Sequence, residues 1–473
     1  MRNIFYKSIQ IKALSAFFYI LILIAFDLEK VNRFFLIGFA FCVATSGFSQ
    51  QGFHLPKNQK KDKIPFELVN NLTIIPVTVN GKELNFLLDT GVKSTLIFSL
   101  TSKDSLEMKN AVPVRIRGLG EGGTLTALKS ANNQVVIGEA VDENHTIFVV
   151  FDESLNFSTR MGIPINGIIG YDLFKNFIVK TDYSSRKITL YNTDEFSTKK
   201  LKRYEAFHLS FFKNKPYTTL SVFSKNEFRD VTLLIDSGSS DAMWLFNDEG
   251  FIVEEPKNYF EDYLGLGLSG NIFGKRSRLK SVKLKKFELE NLNVAFPNLK
   301  IADSSLFYKD RDGSLGGGIL KRFTVIMDYN AETMYLKKNK NFKLPFHYNM
   351  SGLIVEHDGL VVVKSRGEVQ NQSLNLDQTG QNNGAISISV NPLYSFTLAP
   401  RFVVAEVRKN SPAALAGLLK GDEILMINGK QAHRYKLYEL TDLFSSKVGK
   451  KIYLKINREG VAHNIKFELE KVL

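Results

Sequence analysis

Two carboxylates stand out by their setting. Asp89 closes the apolar run in "LNFLLDTGVKSTLIF" (84–98), and Asp236 closes that in "VTLLIDSGSSDAMWLF" (231–246). Each follows strand-forming residues and precedes a hydroxyl residue and a glycine. An unpaired carboxylate is costly inside a core, and the dipeptide after it signals a turn. Either stretch alone reads as a strand ending at a surface turn. Two of them, 236 − 89 = 147 residues apart, make a repeated carboxylate loop, and the chemistry to weigh is that of a carboxylate pair, should the fold bring both to one site. Two acids at close range cannot both ionise, so they share one proton, and one pKa is pushed up while the other falls. Such a pair can hold a water. The ionised member takes its proton as it attacks a carbonyl, and the protonated member donates to the carbonyl oxygen. That chemistry needs no metal, no cofactor and no covalent intermediate. The pair titrates as a unit, so the sequence does not assign the proton to either residue.

The repeat extends well beyond the aspartates. "GLGEGG" (118–123) and "GLGLSG" (265–270) align at the same offset of 147, pairing Gly118 with Gly265, Gly120 with Gly267 and Gly123 with Gly270. "NGIIGYDLFKNFIVKTDYSSRKITLY" (166–191) aligns with "DGSLGGGILKRFTVIMDYNAETMYLK" (312–337), pairing Gly170 with Gly316 and Asp182 with Asp328 at an offset of 146. Three blocks holding register define two copies of one unit, 64–195 and 200–340. Each copy reads as β. An Asn80-Gly81 hairpin turn leads into Asp89, "IIG" and "YDLFKNF" read as a strand then a short helix, and "FIVKTDY" with "ITLY" forms a closing hairpin.

The D-T/S-G loops, the Gly-rich hairpins and the apolar pair before a glycine and a short helix resemble the two-lobed aspartic peptidases. They are most similar to the retropepsin-like branch, here fused into one chain over about 64–340. The resemblance implies a mostly β fold, two tandem homologous β-barrel lobes, with Asp89 and Asp236 as catalytic residues and peptides or proteins as substrates. It implies that the hydroxyls of Thr90 and Ser237 cross-brace the two loops. Gly91 and Gly238, with Ser239, support them, glycine letting backbone amides approach the carboxylates. It also implies that Gly118, Leu119, Gly120 and Gly265, Leu266, Gly267 form flaps; plain surface β-turns are the alternative. Two positions depart from the pattern. Val92 stands where a small or hydroxyl residue is usual and is expected to crowd the first loop, and Ser314 replaces an apolar residue before Leu315-Gly316. Lys93 is either a cation beside the pair or an outward-pointing turn lysine. Trp244, the only tryptophan, is expected in the core.

A polar, Pro-containing linker, 339–349, leads to a C-terminal part, 346–473. From Phe402, "FVVAEVRKNSPAALAGLLKGDEILMINGKQ" resembles a PDZ domain, an α+β module. Ser411-Pro412-Ala413 opens a short helix, and "KLYELTDLFSS" forms a second with Leu437, Leu440 and Phe444 on one face. Met350-Ser351-Gly352-Leu353 is the candidate carboxylate loop. The resemblance implies that protein C-termini bind between the strand starting at Gly352-Leu353 and that helix, by strand addition. Leu473 is either such a ligand for a second copy or a frayed strand end. "GEVQNQSLNLDQTGQNNGAIS" (367–387) reads as a flexible insert.

Composition bounds the rest. The 473 residues suggest two or three domains, and 44% hydrophobic with 23% charged residues is globular. The net charge of +14 is spread among acids, as in "RLKSVKLKKFELE", which favours a solvated surface over nucleic acid. A single cysteine, Cys42, excludes an intramolecular disulfide and CxxC sites, and none of the seven histidines forms HExxH. The segment 1–49 holds two short apolar runs. The second, with Lys30 and Arg33 ahead of it and Gly47-Phe48-Ser49 behind, reads as a signal peptide cleaved before Gln50, so a periplasmic or secreted protein is expected. An uncleaved membrane tether is the alternative. The stretch 53–63, "FHLPKNQKKDK", reads as a pro-segment or a disordered tether. Three function classes follow: an exported aspartic endopeptidase with a PDZ module that recruits substrate, an inactive peptide-binding relative of the same fold, and a membrane-tethered scaffold.

Overall fold

The computed structural model describes residues 52–98, 106–117, 124–151, 157–246, 258–267, 270–298, 308, 310–366 and 394–473. The N-terminal apolar runs, Cys42, the hairpin tip 118–123 and the insert 367–387 lie outside these residues. Among the described residues no helix is long and apolar enough to cross a membrane.

The fold is mostly β, and the two sequence copies build the same sheet. In the first lobe the strand order is Glu67–Val69, Leu72–Val79, Lys82–Leu88, Gly167–Ile169, Thr95–Ile97, Ala140–Val150, Leu125–Ile137, Val112–Ile116. In the second it is Ser210–Phe212, Lys215–Ser224, Glu227–Asp236, Gly313–Gly316, Met243–Leu245, Phe287–Pro297, Gly270–Leu284, Phe260–Gly267. Each sheet curls back through one extra contact, Thr78 against Val136 and Val222 against Val282. The strand before each aspartate is paired in parallel with the short strand of the apolar-apolar-Gly motif. The Asn80-Gly81 turn has both residues at positive φ, 47° and 84°, as a two-residue hairpin requires.

A third, six-stranded sheet joins the lobes. Its order is Lys61–Pro65, Lys187–Tyr191, Ile178–Asp182, Phe323–Asp328, Thr333–Lys338, Glu205–His208. The closing hairpins meet at its centre, with Thr181 opposite Val325. This corrects the reading of 53–63 as a pro-segment or tether. Phe53 and Leu55 are buried in the core shared by both lobes, His54 bridges to Val141, and Lys61–Pro65 is the edge strand of the joining sheet. The basic run hides the apolar residues that place it.

The C-terminal module is a sheet of Leu353–Arg366, Tyr394–Val407, Glu423–Ile427, Lys451–Arg458 and Val461–Glu468, with helices Pro412–Leu415 and Leu437–Phe444. Ser411 caps the first helix, accepting from the Ala414 amide, the usual task of an N-cap serine. Asp422, buried, takes a two-pronged hydrogen bond from Arg458 at 2.6 and 2.7 Å. The linker before the module is fixed to the second lobe. The buried Arg322 donates to the carbonyls of Asn341, Phe342, Leu344 and Pro345, and its guanidinium lies 3.6 Å from the Phe346 ring centroid. The Tyr348 hydroxyl, also buried, accepts from the Val294 amide and donates to the Ser277 carbonyl.

Candidate active site

Asp89 and Asp236 stand at the ends of two central strands that face one another across the lobe boundary. The Asp89 amide donates to Ile169 O at 2.8 Å, so the neighbouring motif strand holds its backbone. The same tight turn follows each aspartate, Val92 N to Asp89 O at 3.4 Å and Ser239 N to Asp236 O at 3.3 Å. Four buried hydrogen bonds then cross between the lobes. The Thr90 hydroxyl donates to Ile235 O at 2.6 Å and accepts from the Ser237 amide at 3.0 Å. The Ser237 hydroxyl donates to Leu88 O at 2.8 Å and accepts from the Thr90 amide at 3.0 Å. Each hydroxyl both gives and receives, so no buried polar group of the brace is left unsatisfied.

The brace brings the carboxylates together. Asp89 Oδ1 accepts from the Gly91 amide at 2.6 Å, and Asp236 Oδ1 from the Gly238 amide at 3.1 Å. Each glycine also lies against the other lobe's acid. A Cβ on Gly238 would fall 2.2 Å from Asp89 Oδ2, and one on Gly91 3.1 Å from Asp236 Oδ1. The two carboxyl groups therefore share one buried space, each within reach of the other's loop glycine. Burial, and then the charge of Asp236, push Asp89 up to about 7, against the pull of the Gly91 amide and the Lys215 ammonium. Burial also raises Asp236, opposed by the charges of Arg311 and Lys215. The environment is therefore unequal, because Arg311 favours the ionised form of Asp236.

Neither cation was visible in the motif. Lys93, the sequence neighbour, is exposed, whereas Lys215 opens the strand that pairs with the Asp236 strand. Arg311 donates to Gly313 O at 2.9 Å, just ahead of the other partner strand. By strand register Lys215 corresponds to Leu72 of the first lobe, and at the offset of 146 Arg311 corresponds to Ile165, so a comparison of the two copies does carry the signal once read for differences. A second missed pair is Asn166 and Asp312. The Asn166 side-chain oxygen accepts from the Asn85 amide at 3.1 Å, and that of Asp312 from the Thr232 amide at 2.7 Å. The same substitution of acceptor for acceptor pins the aspartate strand in both lobes.

Val92 does not crowd the pair. Its side chain packs outward against the cluster of Leu87, Leu96 and Ile168, and Ser239 holds the same place in the second lobe. Ser314 is buried within a strand whose pairing is intact. Trp244 is 8% exposed, and its indole donates to Asp241 at 2.6 Å. Gly118, Leu119 and Gly120 lie outside the described residues. Gly265, Leu266 and Gly267 end one strand of the second-lobe hairpin, which has a bulge at Leu264, and Leu266 reaches the first-lobe cluster. Another constellation, Thr95, His145 and Asp142, is linked by contacts of 2.7 and 2.8 Å but is wholly buried, so it braces strands and faces no solvent. In the C-terminal module Leu353, Leu437, Leu440 and Phe444 are buried core residues that anchor strand and helix rather than line an open surface. Gly352, with φ of 74°, sits against Ser411.

Comparison with known proteins agrees with this picture. Residues 75–173, within the first lobe, match the aspartyl protease family, and residues 384–469 match the PDZ domain. The chain thus carries an aspartyl protease-like domain followed by a PDZ domain. The crystal structure of an aspartic proteinase from Irpex lacteus is similar over 60% of this chain and 99% of that chain, at 13% identity and a TM-score of 0.39.

Proposed function

We propose that the chain is an aspartic endopeptidase that hydrolyses peptide bonds with water. The observation that carries this is the buried pair Asp89 and Asp236, one from each lobe and each against the other's loop glycine, with Asp89 raised to about 7 and both loops locked by the Thr90 and Ser237 brace. Asp236, beside Arg311, is the ionised member and takes a proton from the water as its oxygen bonds to the peptide carbon. Asp89 gives its proton to the carbonyl oxygen as the carbonyl π bond breaks. In the second half the C–N bond breaks, the amine leaves with the proton from Asp236, and a hydroxyl of the diol returns its proton to Asp89. The site ends as it began. The second-lobe hairpin through Gly265, Leu266 and Gly267 is assigned as a cover for the cleft, and the PDZ module as a binder of protein C-termini.

Asp89→Asn and Asp236→Asn should each abolish cleavage of a labelled peptide library while the far-ultraviolet spectrum is unchanged, since an amide can serve neither as base nor as acid. A statine-type inhibitor should bind the wild type more tightly than either variant. Cleavage that persists in both variants rules out the pair as catalyst and leaves the inactive peptide-binding reading. The apolar runs in 1–49 further support export, for which N-terminal sequencing of the periplasmic or secreted protein should find a start near Gln50; a start at Met1 in the membrane fraction would replace this with the tether.

A further inference from the structure

We propose that the ligand groove of the PDZ module is held shut by the first lobe of the same chain, and that an extended peptide with a free C-terminus and an apolar last residue opens it. The groove expected from the strand Leu353–Arg366 and the helix Leu437–Phe444 is not empty. Among the described residues that strand is hydrogen-bonded along one edge only, to Tyr394–Val407, and the helix packs against it, the geometry on which a peptide strand would add. The first-lobe helix Phe157–Met161 packs against both of these elements. Gly162, which ends that helix with φ of 72°, is the point of closest approach. A Cβ there would lie 2.4 Å from Leu437 Cβ and 3.4 Å from His357 Cε1, one atom on each wall of the groove. Tyr438, the next helix residue, packs on the first-lobe cluster that contains Met161 and Ile165.

The carboxylate loop is filled as well. The amides of Ser351 and Gly352 both donate to Asn349 Oδ1, at 3.0 and 3.1 Å, and the Leu353 amide donates to Ser351 Oγ at 3.0 Å. A side-chain carbonyl therefore occupies the donors that a peptide carboxylate would take. The closed state is not without cost. Arg160 Nη1 and His357 Nε2 are buried at this seam with no hydrogen-bond partner among the described residues, a penalty that opening relieves.

The segment is wired to the site described above, and in this part the inference rests on the peptidase reading. The Arg160 guanidinium lies 4.3 Å from the ring centroid of Tyr263, on the second-lobe hairpin. Downstream, the Ile165 amide is held by Ser158 Oγ at 3.0 Å, and two residues later begins the strand whose Ile169 carbonyl receives the Asp89 amide. A peptide that displaces Gly162 thus pulls on both the hairpin and the Asp89 loop. The coupling is reciprocal: whatever tightens the peptidase around substrate must alter peptide affinity by the same factor.

The test is binding, not hydrolysis, so it stands even if the chain cleaves nothing. The probe is a fluorescein-labelled hexapeptide pool with an apolar free C-terminus, and its amidated twin is the control. With the groove shut, wild-type affinity is reduced by the fraction of open molecules. Tyr438→Ala, which removes a first-lobe contact without touching the loop amides, should bind the pool at least about 10-fold more tightly by anisotropy, and Gly162→Ala, which wedges the segment away from Leu437, should do the same. The amidated pool should not bind. In the wild type, saturating pool should speed amide exchange in 157–163. Equal affinities in all three proteins with unchanged exchange would overturn the proposal, as would binding that ignores the free carboxylate.

Discussion

Replacing Asp89 by asparagine should change how stability depends on pH, and the geometry sets the sign and size. In the unfolded chain Asp89 releases its proton near its ordinary value of 3.8; in the folded protein it keeps it to about 7. The folded state therefore holds an extra proton between these limits. The stability this contributes is fully present below 3.8 and is lost as pH rises through about 7. At ~1.4 kcal/mol for each tenfold change in proton activity, the interval amounts to on the order of 4 kcal/mol. The proton is shared with Asp236, so the pair contributes this once. Asparagine keeps the shape and has no proton to lose. The stability of Asp89→Asn relative to wild type should thus rise by on the order of 4 kcal/mol between pH 4 and pH 8. Taking the difference cancels every titrating group that does not interact with Asp89.

Urea unfolding followed through the single tryptophan reads this cleanly, because Trp244 is buried in the second lobe near the pair. The double variant Asp89→Asn with Asp236→Asn should show no more slope than Asp89→Asn alone. A difference between wild type and Asp89→Asn that stays flat within about 0.5 kcal/mol from pH 4 to pH 8 would mean that the carboxyl is not buried against its partner. The shared-proton account would then be wrong whatever the enzyme assays showed.

Lys215→Met removes a charge that lowers both aspartates, so the alkaline limb of cleavage activity should move to higher pH; a shift to lower pH would contradict the placement of that ammonium. Thr90→Val deletes both a donor to Ile235 O and the acceptor for the Ser237 amide. With two buried groups left unsatisfied it should destabilise the lobes by about 2–5 kcal/mol in urea unfolding, whereas Thr90→Ser should recover most of the loss; a Val variant as stable as Ser would show that the brace is dispensable.

The two aspartate loops were legible because they are local and occur twice. A strand, a carboxylate, a hydroxyl and a glycine lie within a few residues, and the second copy removes the ambiguity of the first. The strand Lys61–Pro65, at the edge of the sheet that joins the lobes, was not legible. Its partners are Lys187–Tyr191, more than a hundred residues away, and lysines dominate its surroundings. Lys215 and Arg311 escaped for the same reason, since sheet pairing rather than chain proximity carries them to the pair. The strand Leu353–Arg366 and the helix Leu437–Phe444 of the PDZ module are packed on by a first-lobe segment, Phe157–Met161, about which the module's own sequence is silent.

One divergence of the two copies falls in the segment that leads into the strand beside each aspartate. At the repeat offset of 146, Gly162 corresponds to Tyr308 and Ile165 to Arg311. In the second lobe Tyr308 turns inward, 5.1 and 5.5 Å from the rings of Tyr217 and Phe212, and Arg311 directs its charge toward Asp236. In the first lobe the same stretch has a glycine that meets another module and a buried isoleucine. A duplicated lobe begins with two equivalent aspartates and two equivalent segments. Here Arg311 of one segment favours the ionised form of Asp236, and under the proposal above the other segment senses a peptide bound outside the cleft. Both act on the same turn of backbone, the strand end that supports each carboxylate, which is why a change at either is expected to reach the shared proton.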